Sequence, residues 1–459
     1  TFGGAGDVTV GGAIALGSGT LTKEGAGLLT LSGANSYTGV TSVNGGTLTL
    51  AGSATLAGTS VNVGTVAALN VNGSAALANA TVLGVDGVAT FTTGAQTIAT
   101  LNGSGTLNLN NTELTLADGV FGGVVAGGGS VVKSAAGVLA LSGANTFSGG
   151  VNLSGGTLQV GSNSALGTGV LTMSGGALSS TSGTARTLAN VFSLSGGLVL
   201  GDAANSGALT FSGSGALTGA TTLTTQSAVT LGGALSGAYD LTKAGAATLT
   251  LSGANTYSGT TYVNGGTLVA GAGALASTGS ILVSGAVLSA VDYNSSALLN
   301  VDASGFATVS GAGLSLSNVV NANTTVGAVN FSASTGTVTL VSLSGLGNTV
   351  FGSNATVSGG IAQGTVTVAG LLSGNISGGV VGANALNAGT VSGGAVTITT
   401  SGTVSLMSGG VLGIGTTGAL TSVTGGVTTV GGAATVGVLT SGTLNLGASS
   451  VITALNGGS

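Results

Sequence analysis

Short stretches of alternating apolar and polar residues recur along the whole chain, separated by glycine-rich turns. In TLTL at 248–251, Leu249 and Leu251 fall on one side and Thr248 and Thr250 on the other, which is the two-residue period of a β-strand. Glycine and asparagine in the NGG, SGG and GAN turns suit the positive φ angles of sharp corners. Because no helical spacing of apolar residues occurs, the pattern predicts an all-β fold of short strands.

One block of thirty residues occurs three times, at 21–50, 131–160 and 241–270. Thirteen of its thirty positions are identical in all three copies, and the copies are evenly spaced along the chain. No fourth copy follows at this spacing. We therefore divide the chain into a repeat-bearing region, 1–279, and a region of similar composition without the block, 280–459. The second region is expected to be a degenerate continuation of the same fold, or else a differently folded assembly domain.

A shorter period underlies the block. The sequences SGGTL, SGGAL and SGGL end at Leu158, Leu178 and Leu198, at even intervals. A period of roughly 20 residues is typical of a solenoid, in which each turn buries its apolar face against its neighbours. A turn of this length accommodates about three short strands, so the sequence predicts a parallel β-helix or β-solenoid. The interval between copies of the block then equals about five turns.

Composition sets this chain apart from an ordinary globular protein and excludes several partners. Of 459 residues, 93 are Gly and 13 are charged, and Pro, Cys, His and Trp are absent. A mean hydropathy of +0.67 favours a folded chain over a disordered one. The four scattered basic residues argue against nucleic acid as a partner. No apolar run is long enough for a transmembrane segment.

Both ends of the chain bear on how it is made and what it contacts. The chain begins with Thr1 and has no basic-then-apolar leader, so we expect a processed or excised segment. Neither end carries the Lys, Pro or covering helix that usually protects an open strand edge. With few charges to keep molecules apart, this predicts end-to-end or side-to-side assembly into a fibre, sheath or layer.

The thirty-residue block resembles the autotransporter-associated β-strand repeat of bacterial passenger regions and very large secreted proteins. The resemblance rests on K-x-G/A-x-G/A-x-L-x-L-S-G-A-N-x-Y/F-x-G followed by N/S-G-G-T-L, starting at Lys23, Lys133 and Lys243. It implies a right-handed parallel β-helix outside a Gram-negative-type cell. It also implies a role as an adhesin, a surface stalk or a scaffold for effector domains.

Three positions of the block are assigned structural roles. The lysine lies at a strand end and is either solvated or caps corner carbonyls. The asparagine is a turn residue that bonds the backbone, and it forms an amide ladder if it recurs in successive turns. The aromatic residue is a bulky plug at one corner or face. The residues are Lys23, Lys133 and Lys243; Asn35, Asn145 and Asn255; and Tyr37, Phe147 and Tyr257.

Residues suited to catalysis or metal binding are scarce. There is no His to activate a serine, and the Ser-x-x-Lys sequence SVVK at 130–133 is not kept in the other two copies. GGAGD, ending at Asp7, is only faintly similar to a calcium-binding repeat. Asp118 and Asp202 lack an acidic partner one turn away, as a catalytic pair would need. We predict no enzyme and no catalytic, cofactor or metal site. The nine acids are Asp7, Glu24, Asp86, Glu113, Asp118, Asp202, Asp240, Asp292 and Asp302.

Three functions follow from these observations. The first is a structural protein of the cell exterior whose partner is a further copy of itself. The second is an adhesin passenger that contacts surface polysaccharide or another cell through outward Thr and Asn residues or through Tyr37, Tyr257, Tyr262 and Tyr293. The third is a polysaccharide-degrading enzyme, which requires an acid pair in a groove.

Overall fold

Parallel β-strands form the fold, as the alternating pattern predicts. The computed structural model describes residues 1–78, 81–92, 94–293, 295–311, 314–332, 334–352 and 354–459. The chain forms two compact units, Thr1–Leu235 and Ser236–Ser459. Each is a parallel β-solenoid, with turns of about 19 residues along the chain, so the predicted fold class is confirmed. The described residues include no helix that is long and apolar enough to cross a membrane.

The strands of the first unit are short and follow one another with few intervening residues. They are β1 (Val8–Val10), β2 (Leu21–Lys23), β3 (Leu28–Leu31), β4 (Ala34–Asn35), β5 (Thr41–Val43), β6 (Gly46–Leu50), β7 (Thr55–Leu56), β8 (Ser60–Val63), β9 (Ala67–Val71), β10 (Ala76–Leu77), β11 (Val82–Val85), β12 (Val88–Phe91), β13 (Ala95–Asn102), β14 (Thr106–Leu109), β15 (Glu113–Phe121), β16 (Val124–Ala126), β17 (Ser130–Lys133), β18 (Val138–Leu141), β19 (Val151–Leu153), β20 (Thr157–Val160), β21 (Leu171–Met173), β22 (Ala177–Ser180), β23 (Arg186–Leu188), β24 (Phe192–Leu200), β25 (Leu209–Phe211), β26 (Gly215–Thr225) and β27 (Val229–Leu231).

Strand β28 (Leu235–Ser236) contains the division between the units. The strands of the second unit are β29 (Leu241–Ala244), β30 (Thr248–Leu251), β31 (Thr261–Val263), β32 (Thr267–Ala270), β33 (Ser280–Val283), β34 (Val287–Val291), β35 (Ser295–Val301), β36 (Phe306–Ser310), β37 (Ser315–Asn321), β38 (Val329–Phe331), β39 (Val338–Ser344), β40 (Asn348–Phe351), β41 (Ala355–Ile361), β42 (Thr365–Ile376), β43 (Val380–Val391), β44 (Ala395–Met407), β45 (Val411–Ile414), β46 (Thr417–Val423), β47 (Val427–Val430), β48 (Ala433–Leu439), β49 (Thr443–Leu446) and β50 (Val451–Leu455).

Columns of stacked aliphatic side chains form the core of each unit. In the first unit Leu31 pairs with Leu50, which pairs with Val71, and all three are buried. Successive strands in such a column lie about 4.8 Å apart. Each buried aliphatic side chain contributes roughly 1.5–3 kcal/mol of hydrophobic stabilisation. The core is therefore a set of narrow columns of mainly aliphatic side chains, with aromatic residues such as Phe91 and Phe121 buried among them.

The spacing between successive turns that the SGG sequences predict is confirmed for one pair of turns and wrong for the next pair. Leu158 pairs with Leu178, as the sequence predicts. Leu178, however, pairs with Leu200 instead of Leu198. The turn that follows Ser180 is longer, and it displaces the register of the next strand by two residues.

The interval between the first two copies of the block is not a whole number of turns, so the prediction of five turns is wrong there. The column that starts at Lys23 passes through Val43, Val63, Val85, Gly103 and Phe121 to Leu141. Lys133 instead follows Ile98 and Leu116 in another column. Because turn lengths vary, equivalent residues of the two copies lie on different faces of the first unit.

The second unit continues as a solenoid beyond the last copy of the block. Thr261 pairs with Ile281 and Ile281 with Leu299, so strand pairing passes residue 280 without a break. The predicted boundary between 279 and 280 stays a prediction. Further on the turns become shorter, as the pairing of Val411 with Val427 shows. A repeat that the sequence analysis missed marks these turns: ISGGV, VSGGA, MSGGV and VTGGV, starting at residues 376, 391, 407 and 423.

Candidate functional site: the corners that join successive turns

The motif lysine occupies an inward position of the core column and reaches a corner with its ammonium group. Lys23 ends β2 and is buried. Its Nζ donates hydrogen bonds to the carbonyls of Glu24 and Gly25 at 2.9 Å each, and to that of Gly45 in the next turn at 3.1 Å. The ammonium therefore joins two successive corners. Of the two alternatives for this lysine, the structure shows carbonyl capping, and the solvated alternative is wrong.

The other two lysines make the equivalent contacts. Lys243 donates to Ala244, Gly245 and Gly265 at 2.9, 2.8 and 2.8 Å. Lys133 donates to Ala135 and, at 3.4 Å, to Gly155. Both are buried among aliphatic side chains of their columns. The same device therefore occurs in every copy of the block.

The glycine pair near the end of the block lies in a crowded corner beside this lysine. Gly46 has a φ of 63°, which L side chains rarely adopt. A Cβ atom at this position would lie 2.4 Å from Gly27 O, 2.5 Å from Gly25 O and 2.7 Å from Lys23 Nζ. Backbone carbonyls and the ammonium together leave no space for a side chain, and Gly176, in an SGG turn without a lysine, has a similarly positive φ of 78°.

Burial changes the acidity of these lysines. Desolvation lowers the pKa of Lys243 from its ordinary 10.5 to about 8. Burial also lowers the pKa of Lys133, although the nearby negative charge of Asp118 opposes the shift. The carbonyls that accept their hydrogen bonds favour the charged amine. At pH 7 Lys243 is still charged, because its lowered pKa lies above 7, and its ammonium donates hydrogen bonds to the corner carbonyls.

The motif asparagine connects three successive turns with one side chain. Asn35 Oδ1 accepts a hydrogen bond from Ile14 N at 3.0 Å in the preceding turn. Asn35 Nδ2 donates to the carbonyl of Gly33 at 2.9 Å and to that of Thr55, in the following turn, at 3.0 Å. The predicted backbone contacts are present and extend to both neighbouring turns.

The other two asparagines occupy equivalent corners. Asn145 accepts from Val125 N at 2.7 Å and donates to the Ala165 carbonyl at 2.6 Å. Asn255 donates to the Ala274 carbonyl at 2.8 Å. All three asparagines are buried.

No amide ladder forms at the first of these corners. The position of Asn35 is taken by Leu56 in the next turn and by Leu77 in the one after. Gln96 then makes similar contacts, accepting from Leu77 N at 3.3 Å and donating to the Ala75 carbonyl at 2.9 Å. The sequence analysis missed Gln96, because a lone Gln outside the block carries no repeat signal.

The motif aromatic residue is buried and is matched to a residue four positions later. Tyr37 and Thr41 share a hydrogen bond of 2.7 Å, and so do Tyr257 and Thr261. Thr261 also contacts Thr278 at 2.9 Å. Burial raises the pKa of Tyr257 to about 12 and also raises the pKa of Tyr37. Each hydroxyl thus has a partner inside the core.

The second copy changes both members of this pair together. Phe147 replaces the tyrosine and Val151 replaces the threonine, and both are buried. A phenylalanine has no hydroxyl, so the facing threonine is not needed. The aromatic residue and the residue four positions later therefore change together: a tyrosine is paired with a threonine, and a phenylalanine is paired with a valine.

Three of the four tyrosines considered for glycan contact do not reach the surface. Tyr37, Tyr257 and Tyr293 are buried, so the prediction that they contact glycans is wrong. Their rings fill the core, where a bulky side chain is excluded from solvent. Tyr262 is half-buried on β31. The exposed aromatic residues include Tyr239 and Phe306, which the sequence analysis did not select.

Several acidic residues cap corners. Asp7 accepts a hydrogen bond from Leu28 N at 2.8 Å, and Asp240 accepts one from Thr260 N at 2.8 Å. Asp302 accepts bonds from Ser284, Ser304 and Gly305, and these contacts lower its pKa to about 2. In the part of the chain that the structure describes, no three acidic residues come together as a metal site.

The block matches a known family of repeats. The model of the passenger-associated-transport-repeat matches residues 21–50, 45–68, 131–160 and 241–270. The chain carries passenger-associated-transport repeats. The match at 45–68 overlaps the first copy and was missed by the sequence analysis, because it lacks the lysine that starts the block. No curated protein and no solved structure matches the chain.

Threonine and asparagine side chains form an outward column on the first unit, both within the matched repeats and beyond them. On the outside of the first unit, Thr30, Thr49, Asn70, Thr90 and Asn108 stack in five successive turns. Neighbouring side chains contact each other, with Asn70 Nδ2 3.4 Å from Thr49 Oγ1. The alternating pattern predicts such outward residues, but their alignment depends on the register between turns.

Proposed function

We propose that this chain is a non-enzymatic structural protein of the bacterial exterior, a β-solenoid that self-assembles into an extracellular fibre, sheath or surface layer. The observation that carries this proposal is the direction of the repeated side chains. The motif lysines and asparagines point inward and connect turns, and the motif aromatic residues are buried in the core. Because the recurring residues of the repeat lie in the interior and hold the turns together, the repeat specifies a stiff scaffold.

The outer surface supports the same proposal. With 13 charged residues in 459, there is little electrostatic repulsion between neighbouring molecules. The buried lysines remove three of the four basic residues from that surface. Passenger-associated repeats in a β-solenoid also support a structural or adhesive role at the surface of a bacterium.

Electron microscopy and sedimentation velocity of the purified full chain test this proposal. The expected result is concentration-dependent filaments or sheets, with little response to salt because few groups are charged. Monomers that persist at the highest accessible concentration in plain buffer would contradict it.

A second candidate, an adhesin that binds neutral glycans, is favoured by one surface of the second unit. Phe306 is 38% exposed and lines a shallow groove with Val287, Thr267 and Ser304. An exposed aromatic ring beside hydroxyl groups is suited to the apolar face and hydroxyls of a sugar. Phe306→Ala should abolish binding to insoluble polysaccharide, and Tyr239→Ala serves as a matched control at another exposed aromatic residue.

A further inference from the structure

A small cavity lies on the first unit, where the corner after the second motif copy meets the following turn. Its volume of about 280 Å³ is close to the lower limit of pockets that bind small organic molecules. The corner and the end of strand β23 supply its walls. The lining residues are Asn163, Ser164, Gly167 and Thr168, and Ala189 and Asn190. We call this space the corner cavity.

A buried amide at the corner cavity has an oxygen without a partner. Asn190 is only 7% exposed. Its Nδ2 donates to the carbonyls of Gly169, Gly167 and Leu166 in the preceding turn, at 2.7, 3.2 and 3.5 Å, and these carbonyls fix the orientation of the amide. Asn190 Oδ1 accepts no hydrogen bond from the residues that the structure describes. A polar atom of a buried residue that is left in this way calls for a donor.

Two of the motif asparagines use their oxygen differently. Asn35 Oδ1 accepts a hydrogen bond from Ile14 N, and Asn145 Oδ1 accepts one from Val125 N, in each case from the preceding turn. Asn190 meets the preceding turn with its Nδ2 instead. Its oxygen is therefore left for a donor that the described part of the chain does not supply.

The wall of the corner cavity offers polar groups that the fold leaves available. Asn163 Oδ1 accepts a hydrogen bond from Thr187 N at 3.0 Å, which leaves the Asn163 Nδ2 donor for other contacts. The exposed Ser164 hydroxyl makes no hydrogen bond to the residues that the structure describes. The Thr168 hydroxyl makes one long contact of 3.4 Å. A buried acceptor thus lies in the same cavity as free donors.

The fold does not need the polar groups of the wall. The corner reads GSNSALGTG at 161–169, and the corner after the third motif copy reads GAGALASTG at 271–279. Each corner buries an Ala-Leu pair. These pairs are Ala165 and Leu166, and Ala274 and Leu275. When the corners are aligned on the pair, Ala272 and Gly273 stand in place of the wall amide and hydroxyl. Both groups are therefore available for a ligand.

We propose that the corner cavity binds one neutral sugar unit. Each sugar hydroxyl both donates and accepts, so neighbouring hydroxyls of one ring can donate to Asn190 Oδ1 and accept from the Ser164 hydroxyl or the Asn163 amide. The small residues Ala189 and Gly167 leave room for the apolar face of the ring. The inference goes beyond the proposed self-assembly and does not depend on it.

The character of the lining selects a neutral sugar over an acidic or an apolar ligand. None of the six lining residues is charged, so a carboxylate in the cavity would lose water without gaining a counter-charge. An apolar ligand would leave the Asn190 oxygen without a donor, as it is in the free chain. A neutral ring with hydroxyl groups avoids both costs.

Saturation-transfer difference NMR of the full chain tests the proposal with the methyl glycosides of glucose, galactose and mannose as probes. We expect at least one of them to take up saturation, with a Kd on the order of 1 mM because one ring makes only a few hydrogen bonds. Ser164→Gly reproduces the corner of the third copy and should weaken binding about tenfold. Ala189→Leu fills the cavity from an exposed position and should abolish the signal.

Two control variants show whether a change in signal comes from the corner cavity. Ala203→Leu adds the same side chain at an exposed alanine outside the cavity and should bind as the wild type does. Phe306→Ala removes the exposed ring of the second unit and should also keep the signal. Circular dichroism melting of each variant confirms that the solenoid is intact before binding is compared.

Three results would overturn the proposal. The first is that none of the three glycosides takes up saturation from the wild type. The second is an equal signal from the wild type, Ser164→Gly and Ala189→Leu. The third is tighter binding of glucuronate than of the glucose glycoside, which would exclude a neutral ligand. Sugar binding by a chain that stays monomeric would support the cavity and contradict the proposed self-assembly, so the two failures are distinguishable.

Discussion

Two regions of the second unit close their corners in different ways. At the motif copy 241–270, the ammonium of Lys243 holds carbonyls of two successive corners. In the short turns, backbone groups alone make the contact: Val411 N donates to Gly394 O at 2.8 Å, and Val427 N to Gly410 O at 2.9 Å. A buried ammonium group holds the corners of the motif copy together, whereas backbone hydrogen bonds between glycine-rich corners hold the short turns together.

Turn length accounts for the difference. Thr261 pairs with Ile281, whereas Val411 pairs with Val427, so the turn in the second region is shorter. At the corner itself the difference is small: residues 244–247 join Lys243 to Thr248, whereas residues 408–410 join Met407 to Val411, so the lysine corner has one more carbonyl that needs a donor. In the shorter turn, each glycine corner stacks directly on the corner of the preceding turn, and backbone hydrogen bonds join the two corners without a side-chain donor. A solenoid can therefore keep one core while its corners change from side-chain to backbone bonding.

The largest expected effect is at a glycine corner. Gly410 has a φ of 78°, and a Cβ atom there would lie 2.6 Å from Gly394 O. Gly410→Ala should lower the free energy of unfolding by about 3 kcal/mol, because strain and close contact with backbone add together. Urea unfolding followed by circular dichroism measures it. Gly382→Ala, at an outward glycine with open space, should change stability by less than about 0.5 kcal/mol. Equal effects of the two substitutions would remove the distinction between corner and surface glycines.

A somewhat smaller loss is expected at the lysine corner. Lys243→Met keeps the apolar stem and removes the ammonium, which leaves corner carbonyls without a donor. The expected loss is about 2 kcal/mol. Thr242→Met, one residue earlier and pointing outward, is the matched control and should be nearly neutral. If both variants unfold at the same urea concentration as the wild type, the buried ammonium does not stabilise the corner.

The paired change in the second copy gives a double-mutant cycle. Phe147→Tyr alone buries a hydroxyl against Val151 and should destabilise the first unit by about 1–2 kcal/mol. Adding Val151→Thr should recover about 1 kcal/mol by recreating the hydrogen bond of the other copies. The same unfolding experiment measures the coupling. If the two substitutions change the free energy of unfolding in a strictly additive way, the residue at position 151 does not form a stabilising hydrogen bond with a tyrosine at position 147.

The smallest expected effect is on pH dependence. Because folding lowers the pKa of Lys243 from 10.5 to about 8, the unfolded chain binds more protons between these values, and stability should rise with pH. Above pH 10 the raised pKa of Tyr257, about 12, acts in the opposite sense and stability should fall. The carbonyls that accept hydrogen bonds from the Lys243 ammonium favour its charged form, and they therefore limit this rise in stability.

Single variants separate the two contributions to the pH profile. In thermal melting from pH 7 to about 11, Lys243→Met should lose the rise and Tyr257→Phe should lose part of the fall. A wild-type profile that falls steadily from pH 8 would contradict the assignment to Lys243.

The sequence predicts the strands better than it predicts their stacking. Alternation such as Leu249 and Leu251 depends on neighbouring residues, so the all-β solenoid could be predicted. Stacking depends on the length of every intervening turn. For that reason the sequence predicts Leu198 beside Leu178, where the structure has Leu200, and it predicts about five turns between copies of the block.

The direction of the motif side chains was harder to predict. Lysine at a strand end is usually solvated, and only the three-dimensional corner shows the carbonyls around Lys23. The sequence likewise allows two interpretations of Tyr37 and Tyr257, a bulky plug and a surface contact, and burial favours the plug.

Hydrogen exchange of the full chain in wild type and Lys243→Met tests most directly whether the motif joins turns from the inside. We expect faster exchange confined to the corners that the ammonium holds, within 244–267, while the glycine corners within 376–443 keep their protection. Unchanged exchange at 244–267, or equal loss in both regions, would contradict this account.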